Sequence, residues 1–162
     1  MSNHTEVRAR HRRSRARRLA IQALYSWQLA GEAVEDIYDF YSEDRDFERA
    51  DAAYFKELLL EITSDSESLN ILLVKYIDRD LEQLTQIEHA ILWVGMFELR
   101  DHLEVPHAVV INEAVELSKK FGAENGYRYV NAVLDRASKD LRTAVSGEWK
   151  TINLNKPDKE ED

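Results

Sequence analysis

The chain has 162 residues, enough for one domain or for two half-size helical subdomains with a buried core. Its 44% hydrophobic and 33% charged residues are typical of a folded protein, and the lack of cysteine excludes disulfides, thiolate nucleophiles and cysteine-based metal sites. The net charge of −9 is unevenly spread: residues 1–31 carry seven arginines and one acid, giving +6, whereas the rest carries 15 basic and 30 acidic residues, giving −15.

Apolar residues recur at helical spacing almost throughout, and only two prolines and five glycines interrupt them, so the sequence predicts an all-α fold. The first predicted helix runs from Arg8 to Ala30 and ends near Gly31. Its apolar stripe contains Ala16, Ala20, Ala23, Leu24 and Trp27. A shorter second helix carries Val34, Ile37, Tyr38 and Tyr41, and a polar break follows at residues 42–46.

The middle of the chain has one ambiguous break and one clear helix start. A third helix is predicted from about Ala50, with Phe55, Leu58, Leu59 and Ile62 facing inward. The segment 64–66 either caps a new helix or is a polar turn within one long helix. Thr85 and Glu88 form the capping pattern S/T-x-x-E, which marks the start of another helix. That helix places Ile87, Ala90, Ile91, Val94 and Phe97 on one face.

Two further helices are predicted after Pro106. The first has Val110, Ala114, Leu117 and Phe121 facing inward. On this helix we also expect an outward pair between Glu116 and Lys120, and a left-handed cap at Gly122. The last helix runs from about Asn125 to Arg142, with a stripe of Val130, Val133, Leu134, Ala137 and Leu141. Residues 146–162 are polar and aperiodic, which predicts a disordered acidic tail.

The arginine-rich start of the first helix is the most distinctive segment of the sequence. Arginine suits RNA because its planar fork makes bidentate bonds to phosphate and stacks on bases. Arg18, Gln22 and Tyr25 lie nearly opposite the apolar stripe, and an exposed aromatic among arginines is typical of single-stranded RNA binding. The alternatives are a solvated tail, an organellar targeting peptide or a membrane-surface helix.

Two of these alternatives are disfavoured by the same helix. Trp27 and Leu24 belong to its predicted core stripe, so cleavage of a targeting peptide would remove a structural element. Membrane binding usually needs a bulkier apolar face than alanines provide. A second candidate contact is the glycine-punctuated turn at residues 121–130, where Asn125 and Arg128 could meet a phosphate at a helix start. Taken alone this pattern is weak, because most such turns are only turns.

Catalysis and metal binding have little support in the sequence. The five histidines show no H-E-x-x-H spacing, no phosphate-binding glycine loop is present, and His89 is expected on a helix surface. We therefore expect no enzyme activity, cofactor or metal. No apolar run reaches the roughly 18 residues needed to cross a bilayer, and no secretory signal precedes the first helix. We expect a cytoplasmic protein without membrane contact.

Residues 17–28 read Arg-Arg-Leu-Ala-Ile-Gln-Ala-Leu-Tyr-Ser-Trp-Gln, and this segment resembles the amino-terminal signature of the NusB family of bacterial antitermination factors. The carboxy-terminal half is more specific: Val105-Pro106, Val-Ile-Asn-Glu-Ala-Val-Glu-Leu at 110–117, Phe-Gly-Ala-Glu at 121–124 and Tyr-Val-Asn-Ala-Val-Leu-Asp at 129–135. With Leu-Thr-Gln-Ile-Glu at 84–88, these motifs cover most of residues 12–142 in the family's order and spacing.

The resemblance implies about seven helices in two packed bundles. We expect a basic amino-terminal extension at residues 1–12 and a helical domain at residues 13–145, with subbundles at roughly 13–78 and 79–145. The resemblance also implies pairing with NusE, a protein of the small ribosomal subunit, and binding of that pair to boxA RNA. Through the antitermination complex it would help RNA polymerase read through terminators, chiefly in ribosomal RNA operons.

Family RNA contacts map onto Arg13, Arg17, Gln22, Tyr25, Asn125 and Tyr129. With the residues selected from the sequence pattern, the predicted RNA-binding set is Arg10, Arg13, Arg17, Arg18, Gln22, Tyr25, Asn125, Arg128 and Tyr129. The resemblance places Tyr76, Glu82 and Glu88 on the NusE-facing surface, where acidic groups suit a basic ribosomal protein. Glu88 is also the glutamate of the capping box, and the two roles are compatible.

The chain departs from the family in two places. Its arginine-rich lead is longer, and Asn125 stands where relatives often have aspartate, which predicts RNA affinity at least as high as that of an aspartate variant. One rival is an RNA-binding module of a ribosomal RNA cytosine methyltransferase, although we expect no room for its cofactor-binding domain. Another is a DNA-binding regulator, although no helix-turn-helix pattern follows the basic helix. Dimerisation of the free protein stays open.

Overall fold

The computed structural model describes residues 3–143, and within them the chain forms seven α-helices. They are α1 (Asn3–Ala30), α2 (Val34–Ser42), α3 (Ala52–Ser64), α4 (Ser66–Leu73), α5 (Gln86–Asp101), α6 (His107–Phe121) and α7 (Gly126–Thr143). Two short 3-10 turns, Phe47–Arg49 and Leu81–Gln83, lie before α3 and α5. The all-α prediction is confirmed. The predicted tail at residues 146–162 lies outside the described residues.

The helices pack in two groups around one core. Helices α1, α2 and α3 contact one another, and so do α5, α6 and α7. Helix α1 joins the groups because it also packs along α5, and α4 contacts α5 more extensively than α3. One apolar cluster therefore runs through both groups.

Helix α5 is the centre of the fold. Glu88 N–H donates to Thr85 Oγ1 (3.1 Å) and Thr85 N–H donates to Glu88 Oε1 (3.2 Å), which confirms the predicted helix start. The sequence predicts one apolar face, but every residue from Ala90 to Leu99 is buried because other helices surround α5. A Cβ at Gly95 would lie 2.7 Å from Leu134 Cδ1, so glycine allows α7 to pack close.

Helix α1 begins at Asn3, five residues before the predicted start at Arg8, so its basic leading segment is helical and exposed. The predicted stripe is correct in phase: its alanines and Leu24 are fully buried. Trp27 is partly buried, and its ring lies 5.9 Å from that of Trp93 on α5. The apolar face of α1 thus fixes the helix against the core.

The break at residues 64–66 separates two helices rather than marking a turn within one. Helix α3 ends at Ser64 and α4 begins at Ser66. Asp65 makes no side-chain cap to α4, and its carboxylate instead accepts from Arg100 Nη2 at 2.7 Å. A tertiary ion pair therefore holds this junction.

Two local predictions around α6 are wrong. Gly122 is extended (φ −92°), not left-handed, and the left-handed residue of the turn is Asn125 (φ 66°). Glycine is needed at 122 for a close approach, since a Cβ there would lie 2.8 Å from the Ser118 carbonyl oxygen. Glu116 pairs with Lys119 (3.6 Å), not with Lys120, whose ammonium lies over the Phe121 ring.

Candidate nucleic-acid interface

The face of α1 opposite its apolar stripe carries three of the predicted RNA-binding residues. Arg18 and Gln22 are half-buried, and Tyr25 is 41% exposed. They follow one another at about one helical turn, so they lie in a row along the outside of the bundle. Arg10 continues the basic surface on the exposed leading turns of the helix.

Arg17 is not part of that exposed face. Its side chain is buried, and its Nε donates to Glu98 Oε2 of α5 at 2.8 Å, while Glu113 lies 3.4 Å from its Nη1. Tyr54 OH donates to the same Glu98 carboxylate, and burial together with Glu98 raises the pKa of Tyr54 above its usual range. The expectation for Arg17 is therefore corrected: its charge balances a buried carboxylate and does not face solvent.

Arg13 lies one turn before Arg17 and is partly engaged by the protein. Its guanidinium carbon lies 3.8 Å from the centroid of the Tyr54 ring. Its nitrogens lie 4.0 Å from Asp51 Oδ2 and 3.7 Å from Glu104 Oε2, and 32% of the side chain is exposed. A phosphate at Arg13 must therefore compete with two carboxylates.

Three more arginines hold the turn before α3. Arg12 donates to the carbonyls of Glu48 (3.2 Å) and Ala50 (2.8 Å). Arg15 donates to the carbonyl of Arg49 (3.3 Å), and Arg18 donates to Asp46 Oδ2 (2.8 Å). Hydrogen bonding to Arg18 lowers the pKa of the partly exposed Asp46 carboxyl. Sequence reasoning missed these contacts because their acceptors are mainly backbone carbonyls of a distant segment.

Gln22 and Tyr25 open onto a groove of about 570 Å³ between α1, α2 and the end of α6. Its remaining lining residues are Ser26, Tyr41, Asp44, Ile87 and Phe121. Phe121 comes from the turn that the sequence singled out as a second candidate contact. The structure thus brings the outer face of α1 and the start of that turn to one surface.

A second groove, of about 690 Å³, lies closer to the amino terminus of α1 and faces α6. It is lined by five cations, namely Arg15, Arg18, Arg49, Lys119 and Lys120, and by three carboxylates, Asp46, Glu113 and Glu116. Arg49, Lys119 and Lys120 were not selected from the sequence, because single cations far apart in the chain carry no local signal. The groove extends the cationic surface beyond α1.

The start of α7 holds the other predicted RNA residues. Asn125 and Arg128 are exposed, and the Arg128 guanidinium carbon lies 5.2 Å from the centroid of the Tyr127 ring. The Tyr129 hydroxyl oxygen is buried, and the guanidinium carbon of Arg79 lies 3.8 Å from the centroid of the Tyr129 ring. Tyr129 is therefore covered on one face, which its position in the sequence does not indicate.

The three residues expected to face a protein partner differ in accessibility. Tyr76 OH donates to Asp140 Oδ2 at 2.8 Å, and burial with this bond raises the pKa of Tyr76 to about 12. Glu82 is exposed in the 3-10 turn before α5. Glu88 is 8% exposed and its carboxylate caps α5, so little of it is presented to a partner.

Two of the histidines are held by neighbouring polar side chains. His89 is half-buried rather than on the surface, its Nε2 lies 2.7 Å from Asn70 Oδ1, and burial lowers its pKa. His102 lies between Glu57 and Glu104, with each ring nitrogen 2.7 Å from a carboxylate oxygen. Across residues 3–143, no three metal-ligating side chains come together in a metal-binding arrangement.

None of the helices described between residues 3 and 143 combines the length and the apolar character required to span a bilayer.

Comparisons with known proteins find relatives that match most of the chain. The family model described as NusB family matches residues 14–139. The transcription antitermination protein NusB of Alcanivorax borkumensis is 47% identical over 136 residues, which cover 84% of this chain and 91% of that protein. Proteins of the same name from Pectobacterium carotovorum and Bordetella pertussis are 44% and 46% identical, and the matches cover 94% and 91% of those proteins.

Proposed function

This chain belongs to the NusB family of transcription antitermination proteins, and on that premise we propose that it binds single-stranded boxA RNA together with the ribosomal protein NusE. The pair would act within the antitermination complex of RNA polymerase, chiefly on ribosomal RNA operons. In this proposal the protein works in the cytoplasm as an adaptor and catalyses no reaction.

The meeting of two distant segments at one groove is the observation that carries the proposal. Gln22 and Tyr25 of α1 face Phe121 at the end of α6 across a groove of about 570 Å³. Exposed aromatic rings offer stacking surfaces for unpaired bases, and the neighbouring cations attract the phosphates. Duplex DNA offers no unstacked bases to such a surface, which favours a single strand.

The distribution of charge supports a strand that follows α1. Arg8 and Arg10 are exposed on its leading turns, and Arg15, Arg18, Lys119 and Lys120 line the adjoining groove. Residues 32–162 carry 15 basic and 30 acidic residues, so phosphates are attracted more strongly to this cationic side than to the body as a whole.

The acidic remainder of the molecule supports a basic protein partner at the connection between α4 and α5. Glu82 is exposed before α5, and Tyr76 lies nearby in the same connection, half-buried. NusE would add its own surface to the RNA site, so the pair should bind RNA more tightly than this chain alone. By linkage, RNA must then tighten the protein pair by the same factor.

A titration followed by NMR tests the proposal. Isotope-labelled protein is mixed with a boxA RNA oligonucleotide, with and without NusE, and a scrambled RNA and a duplex DNA serve as controls. We expect shifts at Gln22, Tyr25, Phe121 and Asn125, and tighter binding in the presence of NusE. Preference for the duplex would support a DNA-binding regulator instead, and unchanged RNA affinity with NusE would refute the composite surface.

A further inference from the structure

The ring of Tyr129, where the resemblance implies an RNA contact, is covered on one face by another side chain. The guanidinium carbon of Arg79 lies 3.8 Å from the centroid of this ring, a stacking distance, and the tyrosine hydroxyl oxygen is buried. An RNA base cannot occupy that face of Tyr129 unless Arg79 moves away. On this face the guanidinium of Arg79, and not the tyrosine ring, is therefore accessible to a ligand.

Arg79 is held in place from two sides. It belongs to the connection between α4 and α5, and its Nε donates to Asp78 Oδ1 at 3.1 Å. The Tyr129 ring supports the guanidinium from below, and 37% of the Arg79 side chain stays exposed. A planar cation fixed by an ion pair and a ring is ordered before any ligand arrives, which lowers the entropy lost on binding.

The two carboxylates that act on Arg79 outweigh its single positive charge. Burial lowers the pKa of the Arg79 guanidinium, but its ion pair with Asp78 and the negative charge of nearby Glu88 raise it. The pKa of Arg79 therefore lies above its usual value. Long-range attraction for phosphate is therefore small at this position. The feature left to a ligand is the flat outer face of the guanidinium, which stacks well on nucleobases.

The location of Arg79 matches the RNA surface proposed above. Tyr129 follows Asn125 by one turn of α7, and both Asn125 and Arg128 are exposed. Arg79 thus adds a group from the α4–α5 connection to a surface so far made of α1 and the α6–α7 turn. Local sequence does not reveal it, because Arg79 and Tyr129 are 50 residues apart.

We propose that Arg79 is the residue that contacts RNA at this end of the surface. An unpaired base stacks on the exposed face of its guanidinium, and Tyr129 is a positioning residue that supports the guanidinium from beneath. This inference rests on the proposed RNA-binding function and assigns that site a further contact.

Affinity measurements on substituted proteins provide the first test. Fluorescence anisotropy with a labelled single-stranded boxA RNA should show about tenfold weaker binding for Arg79→Ala, the usual scale for one stacked base. Arg79→Lys keeps the charge but cannot stack, so it should lose nearly as much. Tyr129→Leu should reproduce part of the loss, and Tyr129→Phe should recover it. Lys139→Ala, farther along α7, removes one positive charge as the matched control and should bind normally.

A spectroscopic readout separates contact from mere structural support. In NMR spectra that detect arginine side chains, the Arg79 Nε–H signal should shift on RNA addition because of the ring current of the stacked base. Suppose instead that the NMR signals of the Tyr129 ring shift and that Arg79→Ala binds as tightly as the unsubstituted protein. RNA then displaces Arg79 and contacts the ring itself, and the inference is overturned. If Tyr25→Ala weakens binding while every Arg79 variant binds normally, this inference fails and the proposed function stands.

Discussion

The two sides of α1 use the same residue type for different purposes. On the inner side, Arg17 is buried against Glu98, and Arg13 lies over Tyr54 between two carboxylates. On the outer side, Arg10 is exposed and Arg18 borders a groove next to Gln22 and Tyr25. A run of arginines is therefore not one binding unit, because part of its charge fastens the helix to an acidic body.

The largest expected difference between the two sides concerns stability. Arg17→Met leaves the Glu98 carboxylate buried without its cation, so the free energy of unfolding should fall by about 3–5 kcal/mol. Arg18→Ala breaks a partly exposed pair with Asp46 and should cost about 0–1 kcal/mol. Urea denaturation followed by circular dichroism measures both. Adding Glu98→Gln to Arg17→Met should recover part of the loss, and an Arg17→Met protein as stable as Arg18→Ala would contradict the buried pair.

The next difference concerns RNA affinity without loss of fold. Tyr25→Ala should weaken binding of single-stranded boxA RNA by about 1–3 kcal/mol, the range for one base stacked on an aromatic ring. Its denaturation midpoint should barely change, because Tyr25 is 41% exposed. Tyr25→Phe keeps the ring and serves as the matched comparison. Equal losses in the two variants would point to the hydroxyl and not to stacking.

Salt dependence separates inner from outer arginines. Each phosphate neutralised on a single strand contributes about −0.7 to the slope of log affinity against log salt. Arg10→Ala, on the exposed leading turns of α1, should flatten that slope by about 0.7 under the same rule. Arg13→Ala should flatten it by less than about 0.7, because carboxylates already hold much of its charge. A larger effect at Arg13 than at Arg10 would reverse the assignment of the two sides.

Stability should also depend on pH through His102, which follows α5 and contacts Glu104, one of the two carboxylates near Arg13. Burial disfavours its charged form, but hydrogen bonds to Glu104 and Glu57 outweigh burial and raise its pKa above 6.5 in the folded protein. His102 therefore contributes most stability below pH 6.5, and this contribution is lost as pH rises through the folded pKa. The destabilisation by His102→Asn should be larger at acidic than at alkaline pH. A difference that grows with pH would contradict the two carboxylate contacts.

The smallest expected effect lies outside α1, at the left-handed residue of the α6–α7 turn. Asn125→Asp adds a negative charge to the RNA surface and should weaken binding by about 0.2–1 kcal/mol, as for other exposed charge contacts. Stability should not change, since aspartate also tolerates φ of 66°. Asn125→Gly preserves the backbone and controls for the lost amide. Tighter binding by the aspartate variant would refute the prediction.

Sequence reasoning was most successful where the signal is local. The phase of α1 and the capping pair of Thr85 and Glu88 depend on residues within a few turns. The same reasoning failed for Arg17, because its partner Glu98 is 81 residues away in the chain and no residue near Arg17 indicates a buried carboxylate. The cover of Tyr129 by Arg79 is hidden for the same reason. The prediction for Gly122 failed because a glycine can be required either for a left-handed backbone or for a close approach of two groups. The sequence does not distinguish the two, and at Gly122 the requirement is the close approach.

The exposed leading turns of α1 have a consequence for how RNA is captured. Residues 3–11 are exposed and helical, and at about 1.5 Å per residue they extend roughly 13 Å. The electrostatic screening length at physiological ionic strength is about 8 Å. Along the helix axis Arg8 lies only about 7.5 Å from Arg13, so the arginines at the start of α1 act together within one screening length, and a passing transcript meets a locally positive segment. Encounter with RNA is then governed by this tip and not by the overall charge.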